Sequence, residues 1–443
     1  MTQSAVISTV KRHSKWLLPV ILLSYFVVGF PDGAFTVSWL GIDAEIPGMT
    51  TAHTGWILVG YSVTYTLAGV VLSRLNHWLR LQTIYLIGLI IMALGFLWLS
   101  FAPGFTMVLA AITLYGLGTG AAAASMNAYM AKHYTASDNN WMHFFWGIGA
   151  AASALIMGLM KGMADWRAGY WVIVIIVKLI VVVVALSIFK RIWIDESVTA
   201  TTADIGANGD GVIGNPEVVG DVYLTTEAPV ETAVEPEALD PDFDSVSDGR
   251  YLNSKWHQWL QIATFFFLGG TDYTFVFFTA AVLAQRGHGG AAGFLFPAVY
   301  YVSMTLGRLV AGWLARRMRE FSIERLALAM SLVGIAVLFF TSNVAGMAIL
   351  GFGLGPLLPT LVSDSSNIFR PKILPKIVGY ELAAFGAGIA VLFFVTSQAL
   401  HFFSYEMLWP LGLFFILMVA LCNEVLKRAG INLANRNRQQ VVA

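Results

Sequence analysis

The sequence has little charge and almost no cysteine. Of its 443 residues, 12% are Asp, Glu, Lys or Arg and 57% are hydrophobic, whereas ordinary soluble domains have about 25% charged residues. The one cysteine, Cys422, excludes an internal disulfide framework. These proportions exclude a soluble globular fold and indicate a protein whose helices lie in a lipid bilayer.

Motifs of metal-dependent, nucleotide-dependent and hydrolytic enzymes are also absent. The sequence contains no His-Glu-x-x-His, Cys-x-x-Cys or Gly-x-Ser-x-Gly and no phosphate-binding loop. The glycine-rich run GLGTGAAAAS (116–125) follows no strand, so we interpret it as a helix-packing surface. We expect no enzymatic activity, no cofactor, no metal site and no nucleic-acid partner.

Twelve apolar segments are long enough to cross a membrane, because a hydrocarbon core of about 30 Å needs roughly 20 helical residues. They lie at 16–39, 54–73, 82–101, 106–131, 141–160, 169–189, 258–284, 293–314, 323–341, 344–364, 376–400 and 405–426. The sequence therefore predicts an all-α membrane protein with twelve transmembrane helices.

Basic residues mark one side of this predicted bundle. Of the 26 Lys and Arg, 21 fall on the flanks that share a side with the N terminus, and three on the other flanks. Because loops rich in Lys and Arg stay in the cytoplasm, we expect both termini to be cytoplasmic. We also expect the protein to be a monomer in the plasma (inner) membrane. Lys178 lies inside the sixth segment: it snorkels, pairs with a carboxylate, or indicates that this segment is misplaced.

The chain changes character between residues 193 and 255. From 193 to 249 it has 14 Asp and Glu and no Lys or Arg, a composition that buries too little apolar surface to fold. We predict a disordered acidic cytoplasmic linker at 193–255. It joins an N-terminal six-helix bundle, 1–192, to a C-terminal one, 256–443.

The two halves resemble each other in sequence. Three pairs of segments align in the same order: 27–37 with 267–277, 61–80 with 300–319, and 116–127 with 353–364. In the first pair, VVGFPDGAFTV against FLGGTDYTFVF, Asp32 matches Asp272. Three matches at nearly constant spacing indicate an internal repeat.

This organisation resembles the major facilitator superfamily. GRLVAGWLARRMRE (307–320) keeps the glycine and arginine pattern of that family's signature loop, and MNAYMAKHY (126–134) and NNWMHFFWGIGA (139–150) are similar to its fucose-permease-like branch. The resemblance implies two pseudo-symmetric six-helix bundles around a central cavity, with helices 3, 6, 9 and 12 at the periphery. It also implies that Arg308 is a structural latch.

Polar residues at mid-depth mark a candidate site, because lipid disfavours them. Those on helices that the resemblance places around the cavity are Asp32, Asn127, His143, Asp272, Arg308, Asp364 and Glu381. We expect Asp32, Asn127, His143 and Asp272, with the neighbouring Trp146, to bind solute or exchange protons; the alternative is that they only hold helices together. Asp364 and Glu381 are expected to form gating or structural ion pairs with Arg370, Lys372 or Lys376. Aromatic side chains such as Tyr273 and Tyr300 could stack on a sugar.

Asp32 is the strongest candidate. Low-dielectric surroundings disfavour the charged form of a carboxyl group, and Pro31 with its flanking glycines permits bending of the helix. The fucose-permease-like family pairs this aspartate with a glutamate of helix 4, but Ala123 stands at that position here. His143 is a candidate substitute, since the unperturbed pKa of histidine is near 6.5.

These features predict a secondary transporter that moves a small polar solute, for example a sugar, by alternating access with proton symport. Its partners are then the solute, protons and the lipid bilayer. Two alternatives stay open: a proton-driven antiporter that exports amphipathic compounds, and a transporter-like nutrient sensor that binds solute without moving it.

Overall fold

In the computed structural model, residues 15–75, 78–163, 165–193, 252, 254–287, 292–370 and 373–442 are described. Twelve helices follow one another in this part of the chain. They are α1 Leu17–Glu45, α2 Thr51–Leu75, α3 Leu81–Leu99, α4 Phe105–His133, α5 Ala136–Met163, α6 Trp166–Phe189, α7 Lys255–Gln285, α8 Ala292–Leu314, α9 Glu320–Thr341, α10 Val344–Ile368, α11 Leu374–Phe402 and α12 Leu408–Val442. A 3-10 turn, Tyr405–Met407, precedes α12.

Most of these helices suit a membrane. Ten spans in the described ranges are long and apolar enough to cross one. The remaining two, α2 and α8, have 25 and 23 residues, which also suffices for a hydrocarbon core of about 30 Å. The protein is therefore an all-α membrane protein, as the sequence predicts.

Each predicted segment falls on one helix, and most helices extend beyond the predicted ends. The last segment is predicted to end at residue 426, whereas α12 runs to Val442. Hydropathy marks the part of a helix that crosses hydrocarbon, but the backbone continues as helix into the interface because it satisfies its own hydrogen bonds. Of the predicted linker at 193–255, all residues except Trp193, Leu252, Ser254 and Lys255 lie outside the described residues.

The two halves repeat one packing pattern. In the first half α3 packs on α4, α2 on α4, and α1 on α5; in the second half α9 packs on α10, α8 on α10, and α7 on α11. The halves meet where α2 packs against α11 and α5 against α8. This repetition confirms the predicted arrangement of two pseudo-symmetric six-helix bundles.

The ends of the helices define two sides of the bundle. Because the number of described helices is even, the start of α1 and the end of α12 lie on one side of the bundle. The same side holds these basic residues at helix ends: Arg80, Lys190, Arg319, Arg370 and Lys376. We call this the basic side and the other the opposite side. That the basic side faces the cytoplasm stays a prediction.

Helix α1 is interrupted at Gly29, between Leu17–Val28 and Phe30–Glu45. Pro31 explains the break, because proline has no N–H to donate to the carbonyl of Val27 and its ring clashes with that carbonyl. The matching helix α7 has Thr271 instead of the proline and runs unbroken. The bendable point predicted beside Asp32 therefore coincides with a local break in the regular helix at Gly29, whose backbone stays in the right-handed helical region.

Lys178 lies midway along α6, on its exposed face beside Leu179. Since α6 runs over Trp166–Phe189, the sixth segment was placed correctly and misplacement is excluded as an explanation. A lysine on a lipid-facing surface extends its chain toward the bilayer interface. The exposed position therefore fits snorkelling.

Close packing of α1 on α5 predicts a large effect of a side chain at Gly33. A Cβ there would collide with the backbone carbonyl of Ala150 and the hydroxyl of Ser153. We expect Gly33→Ala to lower the yield of folded protein and its Tm in detergent by several degrees. The matched control is Gly69→Ala, where an added Cβ meets nothing within 4 Å. Equal melting of the two variants would contradict this packing.

Candidate functional site

Asp32 lies where the two halves meet. Its Oδ1 accepts a hydrogen bond from the hydroxyl of Tyr273 on α7 at 2.7 Å, and the indole of Trp146 on α5 lies near the same carboxylate. A cavity of about 20 Å³ adjoins it, lined by residues of α1, α2, α4 and α7 that include Tyr61 and Tyr115. A cavity of this size has room for a water molecule but not for a sugar-sized solute.

Asp272 occupies the matching position in the second half. It accepts a hydrogen bond from Tyr300 on α8 and is attracted by the guanidinium of Arg308. Arg308 donates to the carbonyl oxygen of Gly355 at 3.0 Å and lies 5.6 Å from the ring centroid of Trp146. The repeat-related carboxylates thus differ: Asp272 has a cation near it, whereas the hydrogen bond to Asp32 comes from a neutral hydroxyl.

Asn127 and His143 meet at Tyr25. The amide of Asn127 donates to the Tyr25 hydroxyl at 3.4 Å, and the imidazole of His143 packs edge-on against the Tyr25 ring with centroids 5.7 Å apart. Among the described residues, Oδ1 of Asn127 has no hydrogen-bond partner. An unpaired buried acceptor is available to a ligand or a water molecule.

Six of the eight predicted residues therefore form one connected region. These are Asp32, Asn127, His143, Trp146, Asp272 and Arg308. Sequence reasoning treated Tyr273 and Tyr300 as stacking surfaces, but the structure uses their hydroxyls as donors to the two aspartates. The sequence gives no sign of these pairings, because Tyr273 is next to Asp272 in the chain but donates to Asp32, and Tyr300 lies on a different helix from Asp272.

Asp364 and Glu381 lie apart from this region, nearer the basic side. Asp364 forms an ion pair with Lys427 of α12, whose ammonium is also 3.4 Å from Glu324 of α9. The sequence pointed instead to the cations at positions 370, 372 and 376. Lys427 follows the last predicted apolar segment, so the sequence places it on a flank. In the structure α12 continues as a helix past this point, and the Lys427 side chain is buried against Glu324 and Asp364.

The halves are closed on the opposite side of the cavity. The ring of Phe277 on α7 lies 5.3 Å from that of Phe35 and 6.3 Å from that of Trp39, both on α1. Further out, Nε2 of Gln398 on α11 donates to the carbonyl oxygen of Ala52 on α2 at 3.0 Å. These contacts block the route from the cavity to the opposite side.

The side chains between Asp32 and the basic side are less completely buried. Asn127, His143 and Arg308 lie between Asp32 and that side, and each is partly exposed. Polar groups within a membrane protein are tolerated where they border a water-filled space. Partly exposed polar side chains therefore lie on the basic side of Asp32, and packed aromatic rings lie on its opposite side.

Comparison with known proteins identifies the family. The model of the Major Facilitator Superfamily matches residues 21–392. The chain belongs to this superfamily. Among solved structures, a mutant of the nucleoside transporter NupG is similar, with a TM-score of 0.66 over 94% of this chain and 99% of that one, at 10% sequence identity. At that identity the likeness shows the fold alone.

Membership confirms several predictions. This major facilitator protein is a multi-pass integral membrane protein and a secondary transporter of small solutes, not an enzyme. The position of its polar residues between the two halves agrees with the binding sites of such transporters, which lie near the bilayer midplane where the repeats meet. Its relation to the fucose-permease-like branch stays a prediction.

Proposed function

We propose that this transporter moves a small hydroxylated solute, such as a sugar, in symport with a proton carried by Asp32. The observation that supports this is that Asp32 accepts its hydrogen bond from a neutral group, the hydroxyl of Tyr273, while Asp272 has Arg308 near it. A charge without a counter-ion is costly inside a membrane protein. Protonation of Asp32 removes that cost, so this carboxyl group suits reversible proton uptake.

The hydrogen bond from Tyr273 links protonation to movement of the halves. Asp32 belongs to the first half and Tyr273 to the second, so their bond at 2.7 Å holds the halves together. A hydrogen bond to an ionised carboxylate is roughly twice as strong as one between neutral groups. Proton uptake therefore weakens this link, and the interruption of α1 at Gly29 gives the helix a place to bend.

The polar side chains of the central region support this solute class. Asn127, His143 and Asp272 offer hydrogen-bond donors and acceptors, and the rings of Tyr61 and Tyr115 line the cavity beside Asp32. Polar groups that fix orientation next to apolar rings are typical of small-molecule sites. We further propose that the basic side is cytoplasmic and that the protein acts as a monomer in the plasma membrane.

Uptake into proteoliposomes tests the proposal. Purified protein is reconstituted and offered labelled sugars and nucleosides under three conditions: an inward proton gradient, an outward proton gradient, and a gradient collapsed by a protonophore. We expect one solute class to accumulate above equilibrium only with the gradient. Accumulation driven by the reversed gradient would favour an antiporter, and binding without movement would favour a sensor. Accumulation that ignores the gradient would overturn proton symport.

A further inference from the structure

Glu381 on α11 is a second buried carboxyl group, and the proposed proton symport does not use it. Glu381, Gln261 on α7 and Ser365 on α10 are each 0% exposed, and they meet where these three helices join. Gln261 precedes Asp272 by eleven residues on α7, about 16 Å along the helix axis at 1.5 Å per residue. The cluster is therefore separate from the central site.

The hydrogen bonds of Glu381 are unevenly distributed between its two carboxylate oxygens. Oε1 of Glu381 accepts from Nε2 of Gln261 at 2.9 Å and from the hydroxyl of Ser365. Oε2 of Glu381 has no partner within the described ranges, and neither has Oε1 of Gln261. If Glu381 is ionised, both of these oxygens are acceptors and neither can satisfy the other. Unpaired buried polar atoms are rare in native proteins, and here two occur on one hydrogen-bonded pair.

The described residues provide no ion pair for Glu381. The titratable or charged groups nearest to this cluster along the three helices are His257 on α7, Asp364 and Arg370 on α10, and Lys376 and Tyr380 on α11. Asp364 is paired with Lys427, and the ammonium of Lys376 lies 5.7 Å from the ring centroid of Tyr380. A carboxylate buried with only neutral donors is strongly disfavoured.

We infer that Glu381 carries a proton on Oε2 and donates it in a hydrogen bond to Oε1, the side-chain amide oxygen of Gln261. This proton supplies the one donor that the pair lacks, so acid and amide join through two hydrogen bonds and the buried charge disappears. It also ties α11 to α7 at the basic end of the second half. Glu381 is thus a proton-binding site distinct from Asp32, and this assignment does not depend on proton symport.

Infrared spectroscopy of the purified protein at neutral pH tests the assignment. A protonated carboxylic acid has a carbonyl stretch separate from the amide and carboxylate bands, and this stretch shifts in heavy water. We expect Glu381→Gln to remove one such band and Asp32→Asn to leave that band in place. Glu424→Gln is the matched control, because Glu424 is paired with Arg325 and Arg428 and contributes no such band. An unchanged spectrum of Glu381→Gln overturns the inference.

Thermal stability gives an independent readout. Glutamine at position 381 has an N–H that can replace the acid proton toward Gln261, so Glu381→Gln should melt with the wild type. Glu381→Ala removes the hydrogen bonds from Gln261 and Ser365 and should melt at a lower temperature. A bound sodium ion would instead make wild-type melting depend on sodium, and Glu381→Gln would lose that dependence. That result would overturn the protonated state.

Discussion

Asp32→Asn is expected to abolish accumulation of solute against its gradient while exchange of solute across the membrane continues. Asparagine has the size of aspartate, and its amide oxygen can still accept the hydrogen bond that Tyr273 donates at 2.7 Å. It cannot take up or release a proton. With one proton coupled to one solute, a gradient of one pH unit permits about tenfold accumulation, and this should fall to none.

The measurement compares net uptake and counterflow in the same proteoliposomes. Asp43→Asn is the matched control, because it makes the same change further along α1, near the opposite side; it should accumulate solute as the wild type does. Tyr273→Phe keeps the proton site and removes the link between the halves, so we expect weakened but measurable accumulation. Full accumulation by Asp32→Asn would remove this residue from the coupling mechanism.

Lys427→Met is expected to destabilise the second half by about 3–5 kcal/mol, the cost of leaving buried charge without its partner. The side chain of Lys427 is 8% exposed and lies between Glu324 and Asp364, which are 0% and 11% exposed. Asn423, one turn earlier on α12, donates to Glu324 at 2.8 Å. Without the ammonium, two buried carboxylates are left beside each other with no cation from α12.

Unfolding in detergent, followed by tryptophan fluorescence, measures this effect. The neighbouring Arg428→Met is the control: its side chain is 75% exposed and pairs with Glu424 at 2.9 Å, and exposed pairs contribute little. We expect its stability to stay within error of the wild type. Adding Asp364→Asn and Glu324→Gln to Lys427→Met should recover part of the loss. Wild-type stability of Lys427→Met would show that the three side chains do not form a buried charged cluster.

The amino-acid sequence by itself determined the membrane class, the twelve helices, the repeat of the halves and the residues of the central region. The lipid bilayer is the physical reason why these features are visible in the sequence. Because hydrocarbon tolerates only apolar, fully hydrogen-bonded segments, helices appear as long apolar runs, and residues such as Asp32 and His143 stand out as exceptions. The proline that breaks α1 was likewise visible, since its effect on the backbone is local.

Tertiary structure alone decided which side chains meet. That Tyr273 donates to Asp32, that Lys427 turns toward Glu324, and that Gln261 faces Glu381 all depend on how each helix is rotated about its axis and which helix is its neighbour. Hydropathy gives the length of a helix but only a weak indication of its rotation when lipid and protein interior are both apolar. Contacts between distant parts of the chain therefore required the fold.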